Sequence, residues 1–100
     1  MHKMILENED IILDDNTVLD VKGDVVLYLY GSGKVTLNIG DNSMVTVYHV
    51  GVDICNNIVV NLNGENSQIL YNYDVVNYND NKSSMTINHN YDNTISNVCN

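Results

Sequence analysis

The sequence predicts an all-β fold, a short β-solenoid of about four coils, and three observations support this. The chain has no Ala, no Arg and a single Gln, so helix formers are scarce, whereas Val, Ile, Thr and Tyr, which favour strands, are frequent. A turn of an acid, an asparagine and a hydroxyl residue recurs at residues 15–17, 41–43, 65–67 and 92–94, in steps of 26, 24 and 27 residues. Apolar residues alternate with other residues on both sides of these turns, as in strands with one buried face.

The elements follow in chain order within a single expected domain, residues 1–100. Residues 1–10 are a polar lead-in that forms an edge strand or a cap, and residues 11–98 form the coils. The apolar run Val25–Tyr30 is typical of a strand covered on both faces. Residues 74–83 are expected to form a loop. The inward positions next to the four turns are predicted to stack, with Leu13, Ile39, Leu62 and His89 before the turn and Leu19, Val45, Ile69 and Ile95 after it.

Two further expectations concern the stack itself. Asparagine is abundant, with 18 residues in the chain, and side-chain amides at equal positions of stacked strands can hydrogen-bond to one another. The end coils would expose unpaired backbone edges, which a second copy could cover, so we expect a homodimer paired through these edges. The competing topology is an antiparallel meander, which the hairpin signal Asn63-Gly64 favours.

Charge and segment composition exclude several classes of function. Thirteen acids against four basic residues give a net charge of −9, which argues against nucleic acid and anionic membranes as partners. The longest apolar run has six residues, too few to span a membrane, and the N-terminus is not typical of a signal peptide. Two cysteines, Cys55 and Cys99, do not make a disulfide framework. We therefore expect an acidic cytoplasmic protein with reduced thiols. Residues 31–34, Gly-Ser-Gly-Lys, do not have the spacing of a P-loop, and we expect no enzymatic activity.

Residues 34–98 resemble the β-helical core of the SufB/SufD family, the scaffold subunits of iron–sulfur cluster assembly. The similar stretches are the strand–turn–strand units at residues 37–47 and 57–67, followed by residues 86–96, where a histidine at a strand end precedes a threonine and a serine. The resemblance implies a right-handed parallel β-helix that pairs with another β-helix. His89, Thr94 and Ser96 match the family motif as a structural signature.

The resemblance also shapes the functional expectation. Neither Cys55 nor Cys99 matches the position of the family's cluster-building cysteine, and the family's helical parts have no counterpart here. We therefore expect a reduced relative, a scaffold or interaction protein linked to cluster assembly. The alternative is a purely structural, self-associating β-solenoid without cluster chemistry. The residues alone predict no cofactor. If the chain binds one, the resemblance implies an iron–sulfur cluster.

Several side chains of the sequence are suited to metal binding. Cys55, Cys99 and His89, together with His49, offer the thiolate and imidazole donors that zinc and iron–sulfur sites use, although no Cys-x-x-Cys pair is present. Residues 14–16 and 92–93 supply oxygen donors suited to calcium. A buried histidine bonded to the backbone is the structural alternative for His89.

Overall fold

The computed structural model describes residues 1–51, 56–75 and 83–99, and in these ranges the chain is all-β, with no helix. The ten described strands form two five-stranded sheets, and every pairing among them is parallel. No described segment is a helix that is long and apolar enough to cross a membrane. The strands are β1 (His2–Ile5), β2 (Glu9–Ile12), β3 (Asn16–Val21), β4 (Asp24–Tyr30), β5 (Gly33–Ile39), β6 (Met44–Gly51), β7 (Asn56–Leu62), β8 (Gln68–Val75), β9 (Ser84–His89) and β10 (Ile95–Cys99).

The chain alternates between the two sheets. The first sheet has the order β1-β3-β5-β7-β9 and the second sheet has the order β10-β8-β6-β4-β2. Each pair of consecutive strands, such as β1 with β2, is called a level here, so the described strands form five levels. The parallel pairing shows that the antiparallel meander was the wrong alternative. Side chains that point between the sheets form one apolar core, in which Leu27, Leu37 and Val60 are fully buried.

The turns between the sheets depend on left-handed backbone conformations. Asn42, Asn66 and Asn93 have positive φ angles of 50°, 60° and 59°, which asparagine tolerates better than most residues. In the turn between β3 and β4, one level before that of Asn42, Gly23 has a φ of 102°. Its backbone nitrogen donates to the hydroxyl of Ser43, 2.8 Å away, in the next turn. The turn series therefore begins at Gly23 and continues through the three asparagines.

The prediction that residues 15–17 form the first of these turns was wrong. Asn16 begins β3, and Thr17 is a buried strand residue. Asp14 binds the polar groups of these residues instead. Its Oδ1 accepts from the Asn16 backbone nitrogen at 3.1 Å and from the Thr17 hydroxyl at 2.9 Å. The acid-asparagine-hydroxyl sequence at residues 15–17 therefore does not form a turn with a left-handed asparagine. It belongs to a corner that Asp14 closes by hydrogen bonds just before β3.

This shift changes the predicted stacking at three positions and the number of levels. Val21, not Leu13, stacks with Ile39, and Val25, not Leu19, stacks with Val45. In the last level Ser96 pairs with Ile69, whereas Ile95 points outward and is half exposed. Residues 2–12 add a level, which gives five levels rather than about four. The predicted stacking of Ile39, Leu62 and His89 is confirmed.

A column of polar side chains crosses the outer surface of the first sheet, as expected for stacked asparagines. The amide of Asn38 donates to Asp20 at 2.9 Å, that of Asn61 donates to Asn38 at 2.9 Å, and that of Asn88 donates to Asn61 at 2.8 Å. His2 adds a ring N–H to Asp20 at 2.7 Å. These four bonds, called the amide ladder below, link all five strands of the sheet.

The outer surface of the second sheet is different. The run Val25–Tyr30 was expected to be covered on both faces, and this was wrong, because Tyr28 and Tyr30 are 41% and 43% exposed. Their inward neighbours Leu27 and Leu29 are fully buried. The described part of the chain therefore covers only the inward face of this run, although apolar or aromatic residues occupy both faces.

Candidate functional site

The last level leaves one end of the core open. Strands β9 and β10 each have one neighbouring strand among the described residues. Their inward positions include Met85 and Ile87, which are only partly buried, and Val98, which is 44% exposed. The corresponding residues one level below, such as Val60 and Tyr71, have no exposed surface. We call this surface, with the backbone edges of β9 and β10, the open end.

The opposite end of the stack carries charged side chains at inward positions. Lys3 of β1 and Glu9 of β2 occupy inward positions, opposite Leu19 and Leu27 of the next level, and their side chains form an ion pair across the first level. Inward-pointing charges at a sheet edge oppose the addition of another strand, because a new strand would bury them. The two ends therefore differ in chemistry, although both expose unpaired backbone groups.

His89, Thr94 and Ser96 come together at one side of the open end. The His89 Nδ1 lies 2.7 Å from the Thr94 hydroxyl, and its Nε2 lies 3.0 Å from the Ser96 hydroxyl. The Thr94 hydroxyl donates to the Tyr91 carbonyl at 3.2 Å, so it accepts from Nδ1–H. Nε2 is then the acceptor of the Ser96 O–H.

This trio gives the open end a polar margin beside its apolar strip. His89 and Ser96 occupy the inward positions that Leu62 and Ile69 fill one level below. Their polar groups bond to one another rather than to the core, and His89 is exposed. The residues that the family motif singled out are therefore in contact, in an arrangement in which both ring nitrogens of His89 are engaged.

Among the proposed metal donors that the structure describes, His89 and Cys99 do not come together. Cys99 ends β10, whereas His89 lies across the turn from the beginning of that strand. About four residues of extended chain, roughly 13 Å, therefore separate Cys99 from the end of β10 that is next to His89. Cys55 lies outside the described residues. Within the described part of the chain no three His, Cys, Asp or Glu side chains are grouped so that they could hold a metal ion. The oxygen donors predicted around residues 14–16 and 92–93 do not form such a group either.

His49, the other candidate ligand, is a core residue instead. It is 1% exposed, and its Nε2–H donates to the Gly31 carbonyl at 2.9 Å. Its Nδ1 accepts from the Tyr71 hydroxyl at 2.8 Å. The Tyr73 ring lies 4.9 Å from the imidazole, centroid to centroid. Burial lowers the pKa of His49, and the bond to Gly31 opposes this in part. Both nitrogens are engaged, so metal binding would require breaking a buried hydrogen bond.

Two carboxyl groups, that of the exposed Asp14 and that of the half-buried Asp20, have pKa values below the usual range because they accept hydrogen bonds. The pKa of Asp14 is lowered first by the N-terminal amino group, 3.0 Å from its Oδ2, and then by the Thr17 hydroxyl. The pKa of Asp20 is lowered first by the amide of Asn38 and then by His2. Asp14 belongs to the corner before β3, beside the N-terminus, and Asp20 belongs to the amide ladder.

Sequence reasoning did not find the Lys3–Glu9 pair or the exposed tyrosines of β4 and β6. Comparisons with protein-family models, curated proteins and solved structures found no match for this chain.

Proposed function

We propose that this chain is a scaffold or interaction module, a short right-handed parallel β-helix of the SufB/SufD type, that acts by pairing with a second copy through its open end. The alternation of parallel strands between two sheets supports the β-helix. The right hand follows the strong preference of connections between parallel strands. No catalytic step is assigned to the module.

The observation that carries the pairing is the difference between the two ends. The open end presents Met85, Ile87 and Val98 at inward positions, and a second apolar strip could cover them. The other end presents the Lys3–Glu9 pair, which opposes the addition of strands. Joining unlike ends would bury that pair and produce filaments, whereas joining two open ends produces a closed two-fold dimer.

Light scattering on the purified chain tests this proposal. A 100-residue chain of 11.2 kDa should form particles of twice that mass. Ile87→Lys places a charge at the centre of the open end and should give monomers. Thr86→Lys makes the same charge change one residue away, on the outer face of β9, and should leave the dimer intact. A monomeric native chain at high concentration, or equal behaviour of the two variants, would refute the pairing.

The link to iron–sulfur cluster assembly is a second proposal, supported by the contact between His89, Thr94 and Ser96. The described donors of one chain do not fit a cluster, because Cys99 lies at the far end of β10 from His89 and no group of three donors occurs among these residues. We therefore place the link in partnership with another scaffold subunit and not in cluster binding.

Mixing the chain with a purified SufB/SufD-type subunit tests this link. A mixed particle in light scattering, lost in Ile87→Lys and retained in Thr86→Lys, would support it. Self-pairing without a mixed particle would contradict the link and leave the purely structural module, which is the alternative function. Iron and acid-labile sulfide bound in fixed ratio after anaerobic reconstitution would contradict the view that one chain lacks a cluster site.

A further inference from the structure

The two outer faces of the stack differ in the side chains that they expose. On the first sheet the outward positions carry the amide ladder and threonine, lysine and valine residues, and Met4 is the one large hydrophobic side chain among the described residues there that is strongly exposed. At its described outward positions the second sheet exposes seven: Ile12, Tyr28, Tyr30, Met44, Tyr48, Leu70 and Ile95. We call the outward side chains of the second sheet the aromatic face.

The centre of the aromatic face is contiguous. Tyr28 pairs with Tyr48, and Ile12 pairs with Tyr30, in the parallel register. The rings of Tyr28 and Tyr48 stack with centroids 5.4 Å apart and an angle of 16° between their planes. Three tyrosines that are 41%, 43% and 44% exposed leave roughly 250 Å² uncovered if a whole side chain offers about 200 Å². Ile12, 79% exposed, enlarges the patch to a size typical of interaction sites.

Acidic residues surround this patch. Asp10, Asp24 and Asp74 are exposed at outward positions of β2, β4 and β8. No lysine or histidine occurs at the described outward positions of the second sheet. A second copy of this face would bring like charges together, and the whole chain carries a net charge of −9. The charge therefore favours a basic partner over a second copy.

We propose that the aromatic face binds a partner protein whose contact surface carries lysine or arginine around an apolar centre. Apolar side chains of the partner cover the edges of the tyrosine rings and Ile12, and its basic side chains meet Asp10, Asp24 and Asp74. This surface is separate from the open end, because it lies on the outside of the second sheet. Partner binding and pairing of two copies can therefore be tested independently.

Backbone-amide NMR with two defined peptides tests the proposal. The first probe is a short peptide of alternating lysine and leucine, and the second replaces each lysine by glutamate. We expect the lysine peptide to shift the amide signals of β4 and β6 and the glutamate peptide to leave them unchanged. The Tyr28→Ser/Tyr48→Ser variant keeps the net charge and should bind the lysine peptide about tenfold more weakly or worse, because large aromatic contacts dominate such interfaces.

Met4→Ser is the matched control, because it removes an exposed hydrophobic side chain from the other face. It should bind the lysine peptide as the native chain does. The shift map of the native chain needs no variant and stands if the tyrosine variant does not fold. Four results would overturn the proposal: equal binding of both peptides, shifts confined to the first sheet or the open end, unchanged affinity in a folded tyrosine variant, or concentration-dependent shifts of β4 and β6 without peptide, which would show a second copy on this face.

Discussion

His49 should make the protein less stable at mildly acidic pH. In the folded chain its imidazole is neutral, since Nε2–H donates to the Gly31 carbonyl and Nδ1 accepts from the Tyr71 hydroxyl. A second proton on Nδ1 would face that hydroxyl, which would have to give up its role as donor. The residue is 1% exposed, so water does not compensate for the charge. The groups that face the imidazole are the two tyrosines, Tyr71 and Tyr73, and a carbonyl; none of them is a carboxylate.

The sign of the effect follows from the lowered pKa of His49 in the folded state. An unfolded histidine titrates near pH 6.5, so below that pH the unfolded chain binds a proton that the folded chain does not. The free energy of unfolding should therefore fall as the pH is lowered from about 6.5, by up to about 1.4 kcal/mol for each pH unit. The decrease stops when the pH reaches the lower pKa of the folded state. Asp14 and Asp20, with pKa values lowered from 3.8, act in a more acidic range.

Urea unfolding followed by circular dichroism at several pH values, at one protein concentration, measures this slope. His49→Gln is the control, because an amide offers both a donor and an acceptor without titrating. It should be less stable than the native chain at pH 7.5 but should change little between pH 7 and pH 5. A native chain whose stability is constant in that range, or a variant with the native slope, would refute the assignment of the effect to His49.

Three further changes test the turn at Gly64, the amide ladder and the Lys3–Glu9 pair. Gly64→Ala should cost about 3 kcal/mol or more in urea unfolding, because its Cβ would collide with the backbone of the turn below, whereas Gly40→Ala, with 3.7 Å to its nearest neighbour, should cost far less. Asn61→Ala removes two bonds of the amide ladder and should cost about 1–2 kcal/mol in the same assay. Replacing Lys3 and Glu9 together by leucine removes the inward charges and should produce elongated particles in light scattering; unchanged dimers would contradict the role assigned to this pair.

The strand pattern could be predicted where one face is buried and the turn is regular. Val35, Leu37 and Ile39 alternate with polar residues, and all three are fully buried. The first turn could not be placed, because the acid-asparagine-hydroxyl pattern has two physical solutions. It forms a turn with a left-handed asparagine at Asn42, and it forms a corner closed by Asp14 before β3. Single-letter patterns do not distinguish these solutions, since both satisfy the same polar groups.

The surfaces were harder to predict than the core. The resemblance directed attention to His89 and its partners, which do lie in contact. The Lys3–Glu9 pair was not foreseen, because its importance depends on both residues pointing inward from different sheets. The aromatic face was missed because Val25–Tyr30 is apolar at every position. One signal was present: tyrosines occupy one parity of that run and leucines the other, and tyrosine tolerates a half-exposed position better than leucine.

Side chains of one kind are stacked on both outer faces, asparagines on the first sheet and tyrosines on the second, and the two stacks differ in what they offer to a partner. In the amide ladder, Asn38 and Asn61 each donate to the level below and accept from the level above, so each amide uses one donor and one acceptor site within the sheet. In the tyrosine stack, Tyr28 and Tyr48 each place one ring face against the other, and the two residues remain 41% and 44% exposed. A partner gains little by approaching the ladder, because it would have to replace bonds that are already made. It gains apolar burial at the tyrosines without breaking any contact, and this difference is why we assign partner binding to the second sheet.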